Sequence, residues 1–272
     1  MQYNYACDPM PGWITAPTGN GIIIESGGSK IFGRYLSPAI YEENQQFPVV
    51  ILCHGFPGQE QNIDLAQALR RAGFITIYFW YRGVWGSHGE YSFSHIIEDV
   101  AAVVDFVKEG KLNLPIDMER IYLFGHSMGG FAVLNALASG VKVPKAVLMA
   151  PCDLGRRYLM EKDRLEDLLS TKENGYFTLS HPTVLEEDVA QNGGKWHFPA
   201  LADKLPKETA YTFIAGLQDT VTPAETNIHP LLCKMRDAGF QADYFSLDDG
   251  HSFHGSRLVL AELVTQLFLQ EF

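Results

Sequence analysis

The chain has 272 residues, of which 46% are hydrophobic and 19% charged, enough to bury the core of one large globular domain. Its 32 acidic and 21 basic residues give a formal net charge of -11, which disfavours a nucleic-acid partner. No apolar run approaches the roughly 20 residues needed to cross a bilayer. Residues 1–13 also lack the basic and apolar regions of a signal peptide. We therefore expect a cytoplasmic protein without a nucleic-acid or membrane partner.

Short apolar runs alternate with helical patterns along most of the chain. Two runs flank the turn Ser26-Gly27-Gly28-Ser29 and predict an opening hairpin, at 21–25 and 30–36. The other strands are expected at 48–53, 74–80, 120–124, 145–150, 210–215 and 242–247. Helices are predicted between them at 63–72, 93–108, 128–139, 224–238 and 255–269. Continuous apolar strands that alternate with helices predict an α/β fold, a parallel sheet covered by helices on both faces.

One segment, residues 153–208, interrupts this alternation with a charged helical stretch and then GYFTLSHPTVL and NGGKWHFP. We interpret it as a lid inserted between strands 6 and 7 of a core formed by residues 1–152 and 209–272. A decorative excursion is the alternative. Its aromatic residues stand among so many charges that they should cover another surface, the opening over the active site. Tyr176 and Trp196 are the candidates for substrate contacts.

The four cysteines are too scattered for a CxxC pattern or a Cys/His metal site, and no metal or other cofactor is expected. Cys53 could be imagined as a nucleophile beside His54, but a buried cysteine acting as a small hydrophobe is the better interpretation. Without a signal peptide, all four are expected to be reduced thiols: Cys7, Cys53, Cys152 and Cys233.

The segment Gly125-His126-Ser127-Met128-Gly129 joins a predicted strand to a predicted helix. Ligands of open parallel sheets bind beyond the carboxyl ends of the strands, which is where Ser127 lies. The glycines permit a sharp turn that holds the serine exposed. In this strand-turn-helix context the G-x-S-x-G pattern predicts a nucleophile elbow. The alternative is a serine that only caps the helix.

A nucleophilic serine needs a base and a group that orients the base. Asp219 follows the predicted strand at 210–215, and His251 follows the next one, which is the chain order expected after a serine nucleophile. His254 is the nearest rival base, and a surface role suits it better. Asp153 is the rival acid, although it is a natural N-cap for the charged helix. Asp248 and Asp249 are expected to shape a turn.

The oxyanion of a tetrahedral intermediate needs two hydrogen-bond donors. The backbone N–H of Met128, the residue after the nucleophile, is one candidate. The second is expected in His54-Gly55-Phe56-Pro57-Gly58, the turn after a buried strand, and we assign it to the Phe56 amide because Pro57 has no N–H. A plain Gly/Pro turn is the alternative.

Together, the segments HGFPG, YRGVWGSHGEYS, GHSMGG, DTVTP and GHSF resemble the α/β-hydrolase superfamily, on the side of the dienelactone hydrolases, prolyl oligopeptidases and cinnamoyl esterases. The resemblance covers most of the chain outside the insertion. It implies an eight-stranded, mostly parallel sheet, Ser127, Asp219 and His251 as a triad, and Phe56 and Met128 as oxyanion donors. Tyr81-Arg82-Gly83 is similar to the family's D-x-R-G turn but has Tyr where an acid or small polar residue is frequent. We expect Arg82 to tether its loop rather than to clamp a substrate.

The function expected from these residues is hydrolysis of a carboxylic ester without a cofactor. A peptidase acting on short peptides is the chemical alternative, and a ligand receptor on a hydrolase scaffold is the alternative of another class. The expected partner is a small-molecule ester, and the sequence is compatible with a homodimer.

Overall fold

A single eight-stranded sheet organises residues 3–270, the part of the chain that the computed structural model describes. Its strand order is β1-β2-β4-β3-β5-β6-β7-β8. β1 pairs with β2 and β2 with β4 in antiparallel fashion, and every other neighbouring pair is parallel. The strands are β1 (Thr18–Ser26), β2 (Ser29–Ser37), β3 (Phe47–Cys53), β4 (Ile75–Phe79), β5 (Ile116–His126), β6 (Lys145–Met149), β7 (Ala210–Gly216) and β8 (Ala242–Leu247). The predicted mostly parallel sheet is confirmed.

Helices cover both faces of this sheet. They are α1 (Ile63–Arg71), α2 (Phe93–Lys108), α3 (Met128–Ala138), α4 (Leu154–Met160), α5 (Lys162–Ser170), α6 (Val184–Asn192), α7 (Phe198–Leu201), α8 (Ala224–Asn227), α9 (His229–Asp237) and α10 (Arg257–Leu269). Side chains of α2, α3 and α9 share one buried cluster with one face of the sheet, whereas α1 and α10 pack on the other. None of the helices within residues 3–270 is long and apolar enough to span a membrane.

The central strands are buried along their whole length. Every residue of β3, β4, β6 and β7 is buried, as expected for parallel strands with helices on both faces.

Two predicted boundaries are wrong. The helix predicted at 224–238 is interrupted at Ile228, because Pro230 lacks an N–H and fits only the first turn of α9. β5 begins at Ile116, ahead of the predicted 120, through a stretch that includes exposed polar residues.

The Arg82 side chain ties its loop to α2. Arg82 is buried, its Nε donates to Asp99 Oδ1 at 2.6 Å, and its backbone N–H donates to Asp99 Oδ2 at 2.8 Å. The Ser26 hydroxyl donates to the same carboxylate at 2.5 Å. A buried charge pair requires such additional hydrogen bonds, because both ions have lost their water. The arrangement agrees with a tethering role for Arg82.

The insertion contributes to the core. Residues 153–208 form α4 to α7 with three short 3₁₀ turns, and they leave the sheet after β6 and return to it at β7. Trp196 is only 6% exposed and packs edge-on against Phe131 and Phe93, with ring centroids 5.3 and 6.4 Å away. Phe198 is fully buried. The surface that Trp196 and Phe198 cover is thus the core rather than the expected opening, while a substrate contact of Trp196 stays a prediction.

Replacing Trp196 by alanine should destabilise the fold, because it leaves a large cavity between the insertion and two core helices. We expect a loss of about 3–5 kcal/mol in the free energy of unfolding, measured by urea denaturation. Trp13, which is 40% exposed, provides the control, and Trp13→Ala should change stability by no more than about 0.5 kcal/mol. Equal stability of the two variants would contradict a core position for Trp196.

Candidate active site

Ser127 lies in the turn between β5 and α3, with φ 55° and ψ -117°. A positive φ is uncommon for a residue other than glycine and persists only where neighbours enforce it. Here the Ser127 N–H donates to the Met149 carbonyl at 2.9 Å, and the Ser127 carbonyl accepts from the Cys152 N–H at 3.0 Å. Both partners belong to the end of β6 and the residues that follow it. The neighbouring strand therefore pins the backbone of the turn.

The glycines around Ser127 are required by close approach of the backbone. A Cβ atom on Gly129 would lie 2.0 Å from the Cys53 carbonyl oxygen, and one on Gly125 would lie 2.6 Å from the Gly129 carbonyl oxygen. No side chain fits at either distance. The first residues of α3 can thus pack directly against the end of β3, as the G-x-S-x-G pattern predicts.

The structure brings Ser127, His251 and Asp219 into one hydrogen-bonded chain. The Ser127 Oγ is 2.9 Å from His251 Nε2, and His251 Nδ1 is 2.8 Å from Asp219 Oδ2. The three residues follow β5, β8 and β7, whose carboxyl ends meet at one edge of the sheet. Because the carboxylate can only accept, the Nδ1 carries the proton and the Nε2 is free to accept from the serine hydroxyl.

The Asp219 carboxylate is held by the loop that follows β7, residues 217–222, which we call the acid loop. Its Oδ1 accepts from the N–H groups of Val221 and Thr222, at 2.8 and 2.9 Å. The Thr222 hydroxyl lies 2.8 Å from Oδ2. Burial alone would raise the pKa of Asp219, but the hydrogen bonds from His251 and Thr222 and the attraction of His251 lower that pKa to about 2. The carboxylate therefore stays ionised at neutral pH.

Thr222 is a site residue that the sequence analysis did not single out. Besides Asp219, its hydroxyl lies 3.0 Å from the Ala150 carbonyl and 3.2 Å from His251 Nδ1. The Thr222 hydroxyl thus links Ala150, the residue after β6, to the side chains of Asp219 and His251. An aspartate followed within three residues by threonine is a pattern typical of side-chain-stabilised turns, and that signal could have identified it.

His126, the residue before Ser127, contacts the backbone of His251. Its Nε2 donates to the His251 carbonyl at 3.1 Å, so its Nδ1 can accept from the Asn62 side-chain amide at 3.4 Å. The Asn62 Oδ1 accepts in turn from Arg257 at 3.1 Å. Burial and the neighbouring His251 lower the pKa of His126 to about 3. His126 is therefore neutral at neutral pH.

The rival acid and the rival base have other partners. Asp153 is buried and caps α4, accepting from the Arg156 N–H at 2.8 Å. Its second oxygen accepts from His197 Nδ1 at 2.8 Å and from the Phe198 N–H at 3.1 Å. His254 is exposed and lies 3.5 Å from a Glu60 oxygen. The predicted capping role of Asp153 is confirmed.

The loop 54–58, which we call the HGFPG loop, lies against Ser127. A Cβ atom on Gly55 would be 3.1 Å from the Ser127 Cβ and 3.7 Å from its Oγ. The His54 Nδ1 donates to the Gly55 carbonyl at 2.7 Å, and burial lowers the pKa of His54 to about 4. In a trans peptide the N–H of Phe56 points away from that carbonyl. Cys53 is buried, and burial raises the pKa of its thiol, which disfavours a nucleophilic thiolate.

An aromatic wall extends the HGFPG loop towards the insertion. Phe56 stacks on Phe177 with centroids 4.9 Å apart, and Tyr176 stacks on Trp85 at 5.3 Å. The Trp85 Nε1 donates to the Pro57 carbonyl at 3.0 Å, yet the side chain is 43% exposed and its φ is 49°. Trp85 and the segment 175–178 line an open cavity of about 610 Å³. Of the two predicted substrate contacts, Tyr176 thus lies beside the HGFPG loop and Trp196 lies in the core.

The comparisons with known proteins agree with this geometry. Residues 44–232 match the family model Hydrolase_4, described as serine aminopeptidase S33. The chain belongs to this family. It is a serine hydrolase of the α/β-hydrolase superfamily. Within residues 3–270, no group of three or more His, Cys, Asp or Glu side chains is placed to hold a metal ion.

The matched structures share the fold, but their names refer to different substrates. An uncharacterized 31.7 kDa protein of Escherichia coli from the traX-finO intergenic region is 38% identical over 117 residues, which cover 41% of this chain and 40% of that protein. The structure is similar to Pyrococcus horikoshii acylaminoacyl peptidase, with a TM-score of 0.69 and 16% identity over 95% of this chain and 43% of that one. It is also similar to a Klebsiella pneumoniae protein assigned as a dienelactone hydrolase, with a TM-score of 0.63 and 14% identity over 94% of this chain and 100% of that one.

Asparagine substitutions should separate the two candidate acids. Asp219→Asn is expected to lower kcat by roughly 10⁴-fold, the loss seen for a triad aspartate in a serine protease, because the amide no longer enforces the reactive tautomer. Asp153→Asn should have a far smaller effect on kcat, since asparagine also caps helices. Both variants would be compared with wild type by steady-state hydrolysis of p-nitrophenyl acetate. The opposite ranking of kcat would assign the acid to Asp153.

Proposed function

We propose that this hydrolase cleaves carboxylic esters through an acyl-enzyme intermediate. The observation that carries the proposal is the unbroken hydrogen-bonded chain from Ser127 through His251 to Asp219, with distances of 2.9 and 2.8 Å. A serine in this arrangement is a nucleophile whose proton has an acceptor already in place. No cofactor enters the proposed mechanism.

In the proposed reaction, Ser127 Oγ attacks the acyl carbon while His251 Nε2 takes its proton. The imidazolium that forms is stabilised by the ionised Asp219 at Nδ1. His251 then returns the proton to the leaving alcohol, and the acyl group remains as an ester on Ser127. A water molecule, deprotonated by the same histidine, attacks the acyl-enzyme, and His251 returns this proton to Ser127 Oγ as the acid is released.

The oxyanion donors in this proposal are the N–H groups of Met128 and Phe56. Met128 begins α3 directly after the nucleophile, so the positive end of the helix faces the developing charge. For Phe56, the support is the orientation of its peptide group. The His54 ring holds the Gly55 carbonyl on one side, which leaves the Phe56 N–H directed to the other.

The neutral state of His126 matters for this mechanism. Its ring centroid is 5.2 Å from that of His251. A protonated His126 would repel the imidazolium that must form during attack, since like charges at this distance disfavour each other. Its pKa of about 3 removes that repulsion at the pH where the enzyme would work.

A small-peptide serine peptidase is the second candidate, because the matching family model is described as a serine aminopeptidase and the Pyrococcus horikoshii relative is an acylaminoacyl peptidase. Peptide cleavage would use the same nucleophile, base and oxyanion donors, and it differs in the protonation of a leaving amine. A panel of p-nitrophenyl esters and aminoacyl anilides separates the two. Faster turnover of the anilides at equal concentration would favour the peptidase.

A fluorophosphonate probe should label Ser127 alone if that serine is activated as proposed. Ser127→Ala is expected to abolish labelling and to reduce hydrolysis to the level left by binding and the oxyanion donors. Ser139→Ala, at the other end of α3, is the control and should keep wild-type labelling. Mass spectrometry of the labelled protein identifies the serine. A label on another residue would contradict the proposed nucleophile.

Tyr176 is proposed to contact the larger group of the substrate, since it is half-buried beside the HGFPG loop and its ring stacks on the exposed Trp85. Tyr176→Ala should raise KM for bulky aromatic esters by about tenfold, the size expected for losing one apolar contact in a pocket. The KM for p-nitrophenyl acetate should change little, because a small acyl group does not reach this ring. Steady-state kinetics with both esters measures the difference.

Tyr158→Ala is the matched control for Tyr176, because Tyr158 lies in the same insertion but packs against Gly193. It should leave both KM values near those of the wild type. Equal effects of Tyr176→Ala on large and small esters would show that the ring supports the fold of the insertion rather than the substrate.

A further inference from the structure

Two arginines of the insertion contact the acid loop. Arg157, on α4, donates from Nη2 to the Val221 carbonyl at 2.9 Å. Arg164, on α5, donates from Nη1 to the Thr220 carbonyl at 3.1 Å and to the Val221 carbonyl at 3.2 Å. Two guanidinium groups therefore converge on two consecutive carbonyls. Hydrogen bonds from a charged donor are roughly twice as strong as those between neutral groups.

The same two peptide groups hold the Asp219 carboxylate. The peptide that contains the Thr220 carbonyl also contains the Val221 N–H, which donates to Asp219 Oδ1 at 2.8 Å. The peptide that contains the Val221 carbonyl also contains the Thr222 N–H, which donates to the same oxygen at 2.9 Å. A trans peptide is a rigid plane with its N–H and C=O on opposite sides. Each plane is thus held at one end by an arginine and at the other by Asp219.

The helix that carries Arg157 is held in place by several contacts. Arg157 is only 7% exposed, and its helix begins at the cap made by Asp153. The Asp153 N–H donates to Asn227 Oδ1 at 2.9 Å, which joins the start of α4 to the helix after the acid loop. A Cβ atom on Gly155 would lie 2.1 Å from the backbone nitrogen of His197, so α4 packs directly on the returning end of the insertion. The guanidinium therefore approaches the acid loop from a rigid support.

We propose that Arg157 and Arg164 are positioning residues that orient Asp219 through these two peptide groups, so that the insertion helps to build the active site. The positive charge at each carbonyl polarises the peptide and strengthens the hydrogen bond that its N–H donates to Asp219 on the other side. Without the arginines, the acid loop keeps its sequence but loses the contacts that fix the two planes. The proposal rests on the proposed function, because it gives Asp219 the role of orienting His251.

The test measures nucleophile activation independently of the substrate, as the rate at which a fluorophosphonate labels Ser127. Arg157→Ala and the double variant Arg157→Ala/Arg164→Ala should slow labelling and lower kcat for p-nitrophenyl acetate by roughly 10-fold to 100-fold, because small displacements of an orienting group are costly. The KM should change little. Arg157→Lys should recover part of the rate, since an ammonium can reach the same carbonyl with one donor.

Arg156→Ala is the matched control. Its side chain lies on the same helix but pairs with Glu161 at 2.8 Å, and the backbone N–H that Asp153 caps is retained. This variant should label and turn over at the wild-type rate. Arg164→Ala removes an exposed side chain and should fold, so it tests the proposal even if Arg157→Ala does not. Thermal unfolding of each variant checks that the fold is intact.

A double-mutant cycle with Asp219→Asn separates positioning from a general loss of structure. If the arginines act through Asp219, Arg157→Ala should slow the labelling of the Asp219→Asn enzyme by less than about twofold, because the effects of coupled residues are not additive. A loss in that background equal to the loss in wild type would overturn the proposal. So would wild-type rates in all arginine variants, and that result would leave the proposed function intact. A wild-type protein that is not labelled at Ser127 would overturn both.

Discussion

The strained backbone of Ser127, with φ 55°, is the constraint on which the rest of the site depends. A single residue in this conformation costs on the order of 1–3 kcal/mol, so its surroundings must enforce it. They do so through the hydrogen bonds to Met149 and Cys152 and through the contact of Gly129 with the end of β3. That contact also fixes the HGFPG loop, since the loop continues from β3. The contact between Gly129 and the end of β3 thus helps to place both Ser127 and the proposed oxyanion donor at Phe56.

At neutral pH, Asp219 of the site is ionised, whereas His54 and His126 are neutral. Asp219 is buried, and two backbone N–H groups, a hydroxyl and an imidazole compensate for the lost water, which is why its pKa is low despite burial. His54 and His126 are buried too, and burial lowers the pKa of each ring. His251 is the histidine whose Nε2 lies within hydrogen-bond distance of the Ser127 hydroxyl. The low dielectric around it strengthens its attraction to Asp219.

Sequence patterns predicted the sheet and the three residues at its edge because both depend on local signals. Buried parallel strands are continuous apolar runs, and the ends of such strands meet at one edge whatever the details of the helices. The contacts of His126 could not be predicted in this way, since its partner Asn62 is 64 positions away, and Arg257, which contacts Asn62, is 195 positions from Asn62. The burial of Trp196 could not be predicted either, because it depends on Phe131 and Phe93 in distant helices.

The insertion divides into a base and a rim with different physical properties. At the base, Asp153, Trp196 and Phe198 are buried and join the insertion to the core. At the rim, Tyr176 of the insertion stacks on Trp85 of the core domain beside the HGFPG loop, and Trp85 keeps a large exposed fraction. A substitution at the base disturbs packing that the acid loop shares through Arg157, whereas a substitution at the rim alters only an open surface. The proposed substrate contact at Tyr176 can therefore change while the hydrogen-bonded chain from Ser127 to Asp219 stays in place.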